Sequence, residues 1–139
     1  MTVLASRAVV SLEDALGAFE ADLRSHYGPR LAAVYLFGSR ARDVASLDSD
    51  ADVAVILNDA GVRFWDEKAV LIDLAYEHIL DCGIHIQAWP FTRSEWEHPQ
   101  GHPHERLLRN ARRDARAVAA ADAFLAKCAP LAATRRSAP

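Results

Sequence analysis

The chain has 139 residues, 51% of them hydrophobic and 25% charged, with 16 Lys and Arg against 19 Asp and Glu for a formal net charge of −3. That is long enough for one hydrophobic core, and the slight negative charge argues against a general nucleic-acid binder, which carries a basic footprint. No apolar run approaches the roughly 20 residues that span a bilayer, no secretory core follows the N-terminus, and Cys82 and Cys128 lack disulfide-framework or zinc spacing, so a cytoplasmic protein is expected.

Ser11 can cap a first helix, with Asp14 three residues on and Leu12, Leu16, Phe19 and Leu23 at helical spacing. Gly28-Pro29 stops it. Residues 31–37 (LAAVYLF) then read as a buried strand, and a polar turn opens at Gly38. Residues 53–57 (VAVIL) make a second strand, and residues 64–81 an amphipathic helix ending near Gly83. Residues 84–89 alternate, which puts Ile84, Ile86 and Ala88 on one face of a third strand and His85, Gln87 and Trp89 on the other; Pro90 is expected to end it. A short helix can begin at Ser94, a His-rich loop follows, and a long helix is expected over residues 104–127 with Leu107, Leu108, Ala111, Ala115 and Val118 on its buried face. The expectation is an α/β (α+β) fold, a small sheet with helices packed on it, forming a single domain over residues 1–128 with a flexible tail over 129–139.

The chemistry concentrates in residues 37–52. Gly38 permits a tight turn and close approach to a ligand. Ser39 adds a hydroxyl, and Arg40 and Arg42 can contact phosphate oxygens. Ten residues separate Ser39 from Asp50, and Asp50 and Asp52 stand two apart, so both project to one face if they lie on a strand. Such a pair can bind Mg²⁺, an ion that shares oxygen ligands with substrate phosphates. Taken singly, each feature is more simply a surface turn or solvated loop; the information lies in the conjunction of strand, Gly-Ser, spacer, Asp-x-Asp and strand.

Gly38-Ser39-Arg40-Ala41-Arg42 and Ser49-Asp50-Ala51-Asp52 resemble, position by position, the motif of the minimal nucleotidyltransferase family in the DNA polymerase β-like superfamily. Asp43 departs from the Gly usual there. The similarity extends through roughly residue 115, including the segment Leu107-Leu108-Arg109-Asn110-Ala111-Arg112-Arg113. The resemblance implies a polymerase β-like fold and transfer of a nucleoside monophosphate, with ATP as donor, to a hydroxyl. Asp50 and Asp52 would hold the metal, while Gly38 and Ser39, with Arg40, Arg42 and Ser49 around them, would bind the phosphates. Short members of that family, the MntA-type antitoxins, pair with a helical HEPN-type toxin, and some attach AMP to it.

Active members place a third carboxylate on the strand after the middle helix. Here the face-matched residues are His85 and Gln87, neither a carboxylate. His85 can serve as a proton acceptor, having an ordinary pKa near ~6.5, or be merely structural; Asp81 reads as a helix-end surface residue. The rival reading is therefore a partner-binding module that keeps the fold without the chemistry. An antibiotic-modifying transferase fits less well, since those enzymes carry a further domain.

Other features have simpler explanations. His98, His102 and His104 read as an exposed loop rather than a metal site. Of Trp65, Trp89 and Trp96, Trp89 is the best placed to stack a base, though core packing is commoner. Arg106, Arg109, Arg112, Arg113 and Arg116 make a basic stripe that reads as a solvated helix face.

Overall fold

A computed structural model describes residues 10–42, 50–59 and 61–118 of the chain. Helix α1 (Leu12–Tyr27) starts where expected, the Ser11 hydroxyl accepting from Asp14 N–H at 3.1 Å. A 3-10 turn (Gly28–Arg30) leads into β1 (Leu31–Phe37), and β2 (Ala51–Leu57) returns antiparallel beside it, with Phe37 opposite Asp52. Helix α2 (Phe64–Cys82), closed by Gly83 at φ +73, crosses to β3 (Ile86–Thr92), which pairs parallel with β2. Helix α3 (Arg93–Glu97), helix α4 (Glu105–Asp114) and the short β4 (Arg116–Ala117) complete a mixed sheet in the order β3-β2-β1-β4.

The period-two alternation of β2 sorts its side chains onto two cores. Val53, Val55 and Leu57 pack with Leu16, Phe19, Leu23 and Leu71 under α1 and α2. Ala54 and Ile56 pack with Phe37, Phe91, Leu108 and Ala111 under α4. Asp52 stands on this second face, at the end of the sheet where β1 finishes and β2 and β3 begin.

Three expectations need correction. The third strand runs over Ile86–Thr92, so Ile84 and His85 precede it, and it does not stop at Pro90. As an edge strand it has a side without a ladder, so a residue lacking an N–H is tolerated. The short helix begins at Arg93, because Thr92 caps it: its hydroxyl accepts from Glu95 N–H while the Glu95 carboxylate accepts from Thr92 N–H. The last helix ends at Asp114, and Arg116–Ala117 pair with Leu36 and Tyr35 on the free edge of β1. Ala115 and Val118 keep helical spacing, but the ladder bond from Val118 N–H to Val34 O (3.0 Å) replaces another helical turn. Residues 119–127 of that expected helix, Cys128 and the expected tail lie outside the described residues. No helix among the described residues is long and apolar enough to cross a membrane.

Candidate active site

Gly38 takes φ +77, a left-handed conformation that glycine adopts without strain. Its O accepts from Ala41 N–H at 3.1 Å and from Arg42 N–H at 3.2 Å, so residues 38–42 wind like the first turn of a helix. A Cβ placed on Gly38 would lie 2.7 Å from Asp52 Oδ2, so the carboxylate would have to move to admit one. The Gly-Ser turn and the second carboxylate are thus one structure, although a spacer separates them in sequence.

Behind this turn, Arg42 bonds Asp114 at 2.7 Å, Arg113 bonds the same carboxylate at 3.0 Å, and Arg116 donates to Ala41 O at 3.2 Å. Two arginines hold the Asp114 carboxyl below the usual carboxylate range, Arg113 most strongly. Arg42 therefore anchors the turn to the C-terminal end of α4. Arg40 and Ser39 are half-buried within the turn. Ser49 and Asp43 lie outside the described residues.

Asp50 immediately precedes β2 and is exposed, whereas Asp52 lies within the strand and is half-buried. Burial pushes the Asp52 carboxyl up, and the negative charge of Asp50 adds to that; the Trp89 N–H and the Lys68 ammonium act the other way. The Trp89 Nε1 is buried with its N–H toward this carboxylate but closes no hydrogen bond of normal geometry. The parallel register sets Gln87 beside Asp52. His85 lies beside Asp50, with Nδ1 3.9 Å from Oδ2, beyond hydrogen-bond length, and both side chains are about half exposed.

The sequence reading missed Lys68. This α2 residue is only 7% exposed. Its Nζ donates to Ala88 O at 2.5 Å and to Gln87 Oε1 at 3.3 Å, and sits 4.0 Å from the centre of the Trp89 ring. Burial lowers the Lys68 pKa and the Asp52 charge opposes that. A signal for it existed: Lys68 falls on the same helical stripe as Leu71 and Ala75, both buried, and a lysine on a buried stripe needs partners.

Most of the remaining candidates serve the fold elsewhere. His102 bonds Glu95 at 3.1 Å and lies edge-on to Phe91, while its Nδ1 accepts from His104 N–H at 2.9 Å. Rather than being an open loop, this histidine pair braces the segment between α3 and α4. Trp96 stacks on Tyr35 at 5.1 Å, and Trp65 is 70% exposed. Trp89 has one ring face covered by the Lys68 ammonium, which removes that face from base stacking. Within the basic stripe, Arg109 bonds Glu105 at 2.8 Å and Arg113 bonds Asp114, so part of it serves α4 itself.

Among the described residues no group of three or more His, Cys, Asp or Glu could hold a metal alone. Two carboxylates beside the Gly-Ser turn still suit Mg²⁺, whose remaining ligands come from waters and substrate phosphates. The donor set fits one such ion; the position beside Asp52 offers an amide and an ammonium, which do not fit a second.

Comparison with known proteins bears on the family. Over 75 residues the chain is 36% identical to a Methanocaldococcus jannaschii protein named "Putative protein adenylyltransferase MJ1305", an overlap of 54% of this chain and 51% of the relative. The match thus spans about half the length of that relative. A crystal structure of a toxin–antitoxin with AMP-PNP covers 87% of this chain and 93% of its own, at 17% identity and TM-score 0.48. A mutant of the toxin–antitoxin MntA-HpeT does so with the same coverage, at 15% identity and TM-score 0.49. The family model described as a nucleotidyltransferase domain matches residues 17–112, from α1 to α4, taking in the Gly-Ser turn and the Asp-x-Asp pair; by that match over more than half its length, the chain belongs to the nucleotidyltransferase domain family.

Proposed function

We propose that this protein transfers AMP from Mg-ATP to a hydroxyl of a partner protein, and that the partner is a helical HEPN-type toxin which the modification neutralises. The observation that carries the site is the meeting of Gly38 and Asp52: the turn comes so close to the carboxylate that a Cβ at position 38 would displace it. A polyphosphate held on that turn lies against Asp50 and Asp52. Family membership supports nucleotidyl transfer, and the relative named as a protein adenylyltransferase supports a protein acceptor. The acidic balance of the chain, net −3, disfavours nucleic acid as that acceptor.

Asp50 and Asp52 would hold the Mg²⁺ and Gly38 and Ser39 the terminal phosphates, with Arg40 and Ser49 nearby. Arg42 contributes by fixing the turn to Asp114. Bound there, the metal would neutralise phosphate charge as it develops in the displacement. The acceptor oxygen bonds to the α-phosphorus, pyrophosphate leaves, and the acceptor's proton needs a base. His85, exposed beside Asp50, is the group placed to take it.

A second reading has its own observation. Gln87 and Lys68 stand where a third carboxylate would face Asp52, which favours a nucleotide-binding module that neutralises its partner by contact. One experiment separates the two: incubation with α-labelled ATP and Mg²⁺, with and without a helical partner encoded beside the gene. Label on a protein that vanishes in both Asp50→Asn and Asp52→Asn is the expected result. Tight partner binding without label selects the contact reading, and label unaffected by either variant refutes the assigned site.

A further inference from the structure

We propose that Lys68 makes this a one-metal centre, its ammonium standing as a built-in cation where a second metal would otherwise share Asp52. This inference deepens the nucleotidyltransferase reading and rests on it. Three observations carry it, all independent of any bound ion.

The first is register. Gln87 is the residue directly beside Asp52 across the parallel pair, on the same face of the sheet. A side chain reaching from there could share a cation with Asp52, but a neutral amide cannot balance a divalent charge.

The second is occupancy. Lys68 Nζ is fixed from three directions, by Gln87 Oε1 at 3.3 Å, by Ala88 O at 2.5 Å, and by the Trp89 ring at 4.0 Å. An amide rather than a carboxylate at position 87 leaves that ammonium with a formal positive charge unneutralised by its immediate partners. A second divalent ion brought beside Gln87 would meet this charge in a poorly solvated place, where like charges repel strongly.

The third is cost. A lysine that is 7% exposed is held against the desolvation of its charge. Packing alone would be met by Met or Leu at this point of the helix. Two polar contacts and a ring face built around the ammonium indicate that the charge itself is used. Lys68 is thus a positioning residue: its fixed ammonium, bonded to the Gln87 amide that lies beside Asp52, excludes another ion.

The test counts metal ions rather than turnover. Mn²⁺ binding is followed by electron paramagnetic resonance on the full chain, saturated with an ATP analogue carrying a methylene between its α and β phosphorus atoms. Parent, Gln87→Glu and Lys68→Met/Gln87→Glu proteins are compared, with circular dichroism and thermal melting reporting the fold. The expected counts are one ion per chain for the parent, one for Gln87→Glu, whose new carboxylate pairs with Lys68, and two for the double variant. Two ions in the parent or in Gln87→Glu would overturn the inference while leaving the nucleotidyltransferase reading intact. One ion in a folded double variant would also overturn it. No ion bound to the parent complex would sink both together. If the double variant does not fold, the parent and Gln87→Glu counts still decide.

Discussion

At the scale of single residues, the site depends on a glycine whose replacement would be strained and would push the Asp52 carboxylate aside. Gly38→Ala introduces a Cβ that collides with Asp52 Oδ2 and places alanine at φ +77, a conformation costing about 1–2 kcal/mol for residues with a Cβ. The expected outcome is a modest drop in melting temperature with Mg²⁺-dependent nucleotide binding falling at least tenfold, checked by calorimetry and thermal melting. Binding as tight as the parent's would show that the turn and Asp52 do not act together. The motif was legible in sequence at this scale because Gly-Ser and Asp-x-Asp are local patterns. Lys68 was not, because its partners Gln87, Ala88 and Trp89 belong to a strand some twenty residues away and no local spacing announces them.

At the scale of elements, α1 and α2 are tied over the sheet by more than apolar packing. The Tyr27 hydroxyl at the end of α1 donates to Glu67 Oε1 in the first turn of α2 at 2.8 Å, and Arg30 lies 3.7 Å from the other oxygen. Burial and the neighbouring Glu67 carboxylate raise the Tyr27 pKa well above its ordinary value, so the phenol stays protonated as the donor. Tyr27→Phe keeps the ring in the core and removes only the bond, for an expected loss of about 1 kcal/mol in chemical denaturation. An unchanged midpoint would mean that Arg30 alone satisfies Glu67. Helices α1 and α2 were readable from apolar periodicity, including the Ser11 cap and Gly83 stop. The start of α3 was misread by one residue although Thr92 and Glu95 form a capping box in plain sequence. The end of β3 was misread because proline's effect depends on whether the strand is an edge.

At the scale of the whole molecule, the Gly-Ser turn is clamped to the end of α4 and the start of β4. Asp114 gathers Arg113 and Arg42, and Arg116 reaches Ala41 O, so residues more than seventy positions apart hold residues 38–42 in place. The folded Asp114 pKa is below its ordinary 3.8, so the unfolded chain binds this proton more readily than the folded one. Its contribution is therefore complete above that ordinary value and is lost as pH falls through the depressed folded value. Asp114→Asn is expected to be less stable than the parent at pH 7, with the gap closing below pH ~3.8, measured by denaturant titration across pH. A gap that persists undiminished in acid would show that the ionised carboxylate is not what holds the clamp.

Sequence by itself determined the element order as far as residue 114, the nucleotidyltransferase resemblance and the two carboxylates, because helix periodicity, strand alternation and a Gly-Ser turn are written over a few neighbouring residues. Tertiary structure alone decided three things: that Arg116–Ala117 leave the expected helix to cover the edge of β1, that Arg42 clamps Asp114, and that a buried lysine bonds the Gln87 amide beside Asp52. Each depends on which strands become neighbours, and pairing between distant segments is set by the packing of the whole sheet rather than by any local run of residues.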